Sequence, residues 1–207
     1  MMGMAVPYEL TGRVNQKART RDALIEAARR LLASGVSPTM EGAADAASIS
    51  RTTAYRYFPN LRALLVATYP HIEERSLLGP EPPEDPVARL EAVADDQGRR
   101  ILTYEAEMRA VLRLSLESDL DGVAGLPVHR GLRIGWIEDA LAPLQGRIGD
   151  QDLRRLVYGI GATLGIEAFV WLTDIARLPR EEAVAVMRAN ACGILRAALT
   201  GVPMAGD

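Results

Sequence analysis

Six side chains crowd into seven residues near the N-terminus: Arg51, Thr52, Thr53, Tyr55, Arg56 and Tyr57, in the run SRTTAYRYF. They are hydrogen-bond donors and flat aromatic rings, the groups that suit phosphate oxygens and base edges. The residues of covalent or metal chemistry are scattered by comparison. His71 and His129 are the only histidines and Cys192 the only cysteine, with no metal-ligand spacing and no Ser/His/Asp set. Gly159-x-Gly161-x-x-x-Gly165 imitates a dinucleotide fingerprint poorly and follows no strand. The expectation is a binding protein that is not an enzyme, with no metal site and no cofactor. A helical small-molecule-binding protein or enzyme that reads no DNA is the competing interpretation.

The flanking residues explain how the six are positioned. Thr39 can cap a helix whose apolar positions Met40, Ala43, Ala44 and Ala47 fall at helical spacing, ending near Ser48. Ser50 can cap the next helix, so only the turn Ala47-Ser48-Ile49-Ser50 separates the two, which is the construction of a helix-turn-helix. Ala44 and Ala47 allow close approach. Ile49, Ala54 and Phe58 are the apolar plugs, which leaves Arg51, Thr52, Tyr55 and Arg56 outward. Asn60 caps a fourth helix with an inward stripe of Leu61, Leu64, Leu65, Thr68 and Ile72. Pro70 falls within that stripe. It either kinks the helix, giving a bend that can couple two domains, or ends it early.

From about Arg19 to Leu65 the chain resembles the DNA-binding domain of the TetR family of one-component transcriptional repressors. The resemblance is carried by the helix Arg21 to Ala33, by Thr39, Ala44 and Ala47, by the turn Ile49-Ser50, by the run from Thr53 to Phe58, and by Leu64-Leu65. The sequence departs from the family pattern at three positions. Ser48 stands where Gly takes a left-handed backbone, Ala43 replaces a larger aliphatic, and Leu61 replaces a phosphate-binding Lys for which Arg62 or Arg56 can substitute. The resemblance implies an all-α protein with an N-terminal three-helix helix-turn-helix DNA-binding domain followed by a helical ligand-binding and dimerisation domain. The DNA-contacting residues expected on this basis are Thr39, Ser50, Arg51, Thr52, Thr53, Tyr55, Arg56, Tyr57 and Arg62. Lys17, Arg19 and Arg21, at the end of a basic lead-in, either follow the DNA backbone or belong to a solvated tail.

The chain has 207 residues, is 48% hydrophobic and carries a net charge of −3, which does not by itself suggest a partner for nucleic acid. The charge is unevenly placed, however. From Arg13 to Arg62 nine basic residues face four acidic ones, a local +5, so the remainder carries −8. A basic head on an acidic body fits a protein in which one domain meets phosphate. No apolar run is long enough for a membrane span, one cysteine suits a reducing compartment, and the start lacks the long apolar core of a secretory signal. These features read as a cytoplasmic protein with no membrane partner.

The run Gly79 to Pro86 marks a boundary. The expected divisions are an N-terminal basic arm at 1–18, the helix-turn-helix domain at 19–75 and the helical domain at 87–201. Beyond the boundary, helices are expected at 87–101, 103–118, 128–144, 151–177 and 180–199. Pro179 lies at the start of the last of these and Gly201 at its stop. The segment Leu156 to Leu172 is apolar nearly all round, as in a buried helix. Gly159, Ala162, Gly165 and Ala168, with Ala185, Ala189 and Gly193 on the next helix, offer small faces for close helix contact. The resemblance assigns such a pair to a four-helix homodimer interface, and an intramolecular core is the simpler alternative. A two-fold dimer reads a palindromic operator with half-sites about 34–36 Å apart. The resemblance also implies a small-molecule effector in the middle helices. Tyr104, Met108, Leu112 and Leu116 are candidate contacts, as are Trp136, Tyr158, Phe169 and Trp171, and all of them are also suited to an ordinary core. Glu167, an acid in an apolar helix, needs a partner such as an Arg, a subunit neighbour or a cationic ligand.

Overall fold

A computed structural model describes residues 8–69, 74–116 and 132–201, with side chains described from residue 16 onward except at 114. Among the described residues every named element is helical. The chain divides into two compact units, Met1–Pro70 and His71–Asp207.

The first unit contains α1 (Tyr8–Ala33), α2 (Met40–Ala46), α3 (Arg51–Tyr57) and α4 (Leu61–Thr68). Helix α1 starts well before Arg21, so Lys17 and Arg19 ride on a helix rather than on an extended arm. It ends in a Schellman motif. The Val36 amide donates to the Leu31 carbonyl and the Gly35 amide to Leu32, with Gly35 at φ 74°. The three short helices each begin at a side-chain cap. Thr39 Oγ1 accepts from the Gly42 amide at 2.9 Å, Ser50 Oγ from the Thr53 amide at 3.2 Å, and Asn60 Oδ1 from the Ala63 amide at 2.8 Å. Such caps satisfy amides that have no partner within the helix. Leu24, Ile25 and Ala28 of α1 pack with Met40, Ala43, Ala44, Ala54, Phe58 and Leu64 into one core. Two arginines of α1 bind helix ends. Arg29 Nε donates to the Thr68 carbonyl at 2.8 Å and Arg30 Nη2 to the Ala46 carbonyl at 3.3 Å, satisfying the last carbonyls of α4 and α2.

Helix α4 is shorter than the stripe through Ile72 predicts. It stops at Thr68, and Tyr69 is extended at φ −79° and ψ 114°. The residue before a proline is pushed out of the helical region, which accounts for the stop. Pro70 itself, with His71 and Ile72, lies outside the described residues.

The second unit contains α5 (Pro86–Thr103), α6 (Glu105–Leu116), α7 (Leu132–Ala140), a 3₁₀ turn (Ala142–Leu144), α8 (Asp150–Thr163), α9 (Ile166–Val170), a π turn (Trp171–Ile175) and α10 (Arg180–Leu199). Residues 117–131, including His129, lie outside the description. Asp85 caps α5 and Pro86 occupies its first turn, where a missing N–H costs nothing. Helix α10 packs against α5 and α8, and α7 against α5 and α8. Their shared core includes Leu90, Ile101, Ile137, Leu141, Leu156, Ile160, Phe169, Met187 and Leu195. Contact between α5 and α10 is very close at Gly98, where an added Cβ would lie 2.3 Å from Val184 Cγ1. A buried Arg89 closes the end of α7 by donating to the carbonyls of Ala140 at 3.1 Å and Asp139 at 2.8 Å.

The predicted helix 151–177 is three pieces. It breaks at Leu164–Gly165 and its last turn widens to π geometry. Arg133 bridges the break: Nη1 donates to the Gly161 carbonyl at 3.0 Å, and the same guanidinium pairs with Glu167 at 3.1 Å. A Cβ at Gly165 would fall 1.8 Å from Arg133 Nη1, so any larger residue there would have to displace the Arg133–Glu167 pair. No single helix among the described residues is long and apolar enough to cross a membrane.

Candidate nucleic-acid interface

The turn between α2 and α3 is a second Schellman motif. The Ser48 amide donates to the Asp45 carbonyl at 3.0 Å and the Ile49 amide to Ala44 at 2.9 Å. Ser48 occupies its left-handed position at φ 56°, so the serine adopts the backbone expected of glycine. Ala54 (0% exposed) and Phe58 (3%) fix α3 against the core, and Ile49 packs beside them. The opposite face of α3 presents Arg51, Thr52, Tyr55 and Arg56 to solvent, with Thr53 and Tyr57 half-buried at its margins.

Local contacts hold these side chains. The Arg51 guanidinium lies 5.7 Å from the Tyr55 ring centre and that of Arg56 lies 5.6 Å from Tyr57. Arg21 lies over Phe58 at 5.4 Å, which ties α1 to the C-terminal end of α3. Ser50 Oγ also donates to Thr53 Oγ1 at 2.9 Å. Lys17, Arg19, Arg21, Thr39 and Ser50 are exposed, and Arg62 is half-buried on the first turn of α4. One contact has no counterpart in the sequence reading. Glu41 of α2 pairs with Arg51, with Oε1 2.7 Å from Nη2.

The candidate effector contacts differ widely in exposure. Leu116 (76% exposed), Tyr158 (56%) and Trp171 (56%) lie at the surface. Trp136 is core, its indole N–H donating to the Glu74 carbonyl at 2.8 Å and its ring 5.7 Å from Arg100. Phe169 is fully buried, with Arg109 6.0 Å from its ring. Tyr104, Met108 and Leu112 are half-buried, and Met108 packs against the core. Glu167 is not inside an apolar face; it is half-exposed and held by Arg133.

Of the small residues, Ala162, Ala185, Ala189 and Gly193 are exposed and Gly159 is half-buried. Ala168 packs partly on the core. Gly165 differs from the rest, being buried under Arg133 and Glu167, and so it does not belong to an outward face. Burial pushes the Cys192 thiol up, away from nucleophilic use.

An ion-pair network, unforeseen in the sequence, joins α6 to the π turn and α10. Glu105 accepts from Arg109 Nε and Arg180 Nε, each at 2.7 Å. Arg109 then grips Asp174 at 2.7 and 2.8 Å through both terminal nitrogens. The Arg109 fork, aided by Thr173, holds the Asp174 carboxyl down at about 2. Burial pushes Glu105 upward, but hydrogen bonds from Arg180 and Arg109 outweigh it and leave the carboxyl below its usual range.

A solved structure decides the fold. The chain is similar to a TetR transcriptional regulator from Rhodococcus sp. RHA1, at 21% identity and a TM-score of 0.54, covering 91% of this chain and 99% of that one. The fold is that of a TetR regulator. Neither a family model nor a curated protein matches the sequence. In this chain α2 and α3 are two short helices joined by the tight Schellman turn at Ser48, which is helix-turn-helix geometry.

Proposed function

We propose that this chain is a homodimeric, sequence-specific transcriptional regulator, a repressor released from a palindromic operator by a small molecule. The observation that carries the reading is the outer face of α3. There Arg51, Thr52, Tyr55 and Arg56 stand exposed together on a helix whose inner face is anchored by Ala54 and Phe58. A short, rigidly seated helix with donors on its free face is what major-groove reading requires. The local +5 of the segment around it supplies the phosphate term.

The N-terminal unit reads DNA, with Lys17, Arg19, Arg21, Thr39, Ser50, Thr53, Tyr57 and Arg62 around the α3 face as phosphate and backbone contacts. The domain at 87–201 dimerises and binds the effector. Dimerisation uses α8 and α10, where Tyr158, Ala162, Ala185, Ala189 and Gly193 leave an exposed face of small and aromatic groups. The effector site is best sought around Tyr104, Met108 and Leu112, the candidates that lie half-buried.

Selection of binding sites from random duplex DNA tests the reading. The expected product is a short palindrome bound with an affinity that falls steeply with salt. Recovery of no sequence preference, or turnover of a metabolite without DNA binding, would overturn it.

A further inference from the structure

We propose that Glu41 is a specificity-determining residue that acts through Arg51, holding its guanidinium for base reading and discouraging it from taking phosphates of any sequence. The inference rests on the assignment of α3 as the DNA-reading helix. Arg51 is the first residue of α3, and Glu41 lies on the first turn of α2. Both helices are fixed at their starts by the Thr39 and Ser50 caps, so the fold sets the separation of the two backbone positions and brings the side chains within reach of each other.

Arg51 is held on two sides. Glu41 Oε1 takes Nη2 at 2.7 Å, and the Tyr55 ring lies 5.7 Å from the guanidinium carbon. The Arg51 side chain nevertheless remains 68% exposed and that of Glu41 43%, so most of the guanidinium stays within reach of an approaching duplex. An exposed pair of this kind is weak, and a correctly placed guanine edge can share or replace it. A long cation that is free to swing binds any nearby phosphate and gains affinity without selectivity. A carboxylate beside that cation opposes this in two ways: it restricts the rotamers of the arginine, and it places a negative charge near the DNA backbone, which lowers affinity for every sequence unless a base contact compensates.

Binding of the full-length protein to its selected operator and to a scrambled duplex of equal composition, across a salt series, tests the proposal. Glu41→Gln should tighten the scrambled duplex about 3- to 10-fold and the operator less, so that the ratio between them falls at least about 3-fold. Repeating the selection with this variant should relax one base pair in each half-site. In an Arg51→Ala background, Glu41→Gln should leave the ratio unchanged. Equal tightening of both duplexes, or the same loss of ratio without Arg51, would overturn the role of Glu41 while leaving the DNA-reading assignment intact. A wild-type protein with no sequence preference would overturn that assignment and this proposal together.

Discussion

Ser48 carries a β-carbon into a backbone region where it crowds the following carbonyl oxygen, at φ 56°, because the Schellman turn between α2 and α3 demands that conformation. Glycine relieves the crowding but loses more chain entropy on folding, and the two effects nearly match. Ser48→Gly should therefore raise stability modestly, by up to about 1 kcal/mol, whereas Ser48→Val should lower it by at least about 1 kcal/mol. Denaturant midpoints of the two variants measure this, and a stabilising valine would contradict the assigned conformation. The left-handed position was legible only through the resemblance, whose pattern has glycine where this chain has Ser48, since serine itself gives no sign of such a backbone. The Glu41–Arg51 pair was not legible, because ten positions separate the partners and only the angle between two helices brings them together.

At the scale of elements, α6 is attached by charge as well as by apolar contact. Glu105, Arg109, Asp174 and Arg180 link it to the π turn and to α10. Asp174 has a folded-state carboxyl near 2 against an ordinary value of 3.8, so its contribution is complete above about pH 4 and disappears as pH falls toward about 2. Asp174→Asn should cost about 0.5–1 kcal/mol near neutrality, a figure held down because the carboxylate is half-exposed. Chemical denaturation of both proteins should show a constant difference from pH 5 to pH 8 that closes below pH 4. A difference that changes near neutrality would assign the effect to another group. The same scale shows which elements the sequence could predict. The caps at Thr39, Ser50 and Asn60 act over three residues and were readable as local patterns. The break before α9 was hidden in an uninterrupted apolar run, because the group that binds the freed Gly161 carbonyl and packs on Gly165 is Arg133, 32 positions before that glycine. The end of α4 was half-readable. Pro70 signalled it, but the apolar stripe continued through Ile72.

For the whole molecule, the proposed dimer places a definite demand on α10. Among the described residues, and apart from its own helix backbone and chain neighbours, no atom lies within 4 Å of the position a Cβ would take at Gly193, so a β-carbon there meets open space. Gly193→Arg should keep the helical content and thermal transition of the subunit while shifting its sedimentation from dimer to monomer. Operator affinity should then drop by about 100-fold or more, since each half-site would bind alone. A variant that stays dimeric would move the interface off this face of α10.

The two tryptophans bear on how such states can be followed. Both belong to the second unit, and they differ in environment. Trp136 is sealed in the core and hydrogen-bonded to Glu74, while Trp171 lies open on the π turn. Intrinsic emission therefore comes from one protected and one accessible fluorophore, and iodide should silence only the second. The helix-turn-helix unit contributes no indole signal, so a change in emission or in quenching during a titration reports directly on the C-terminal unit.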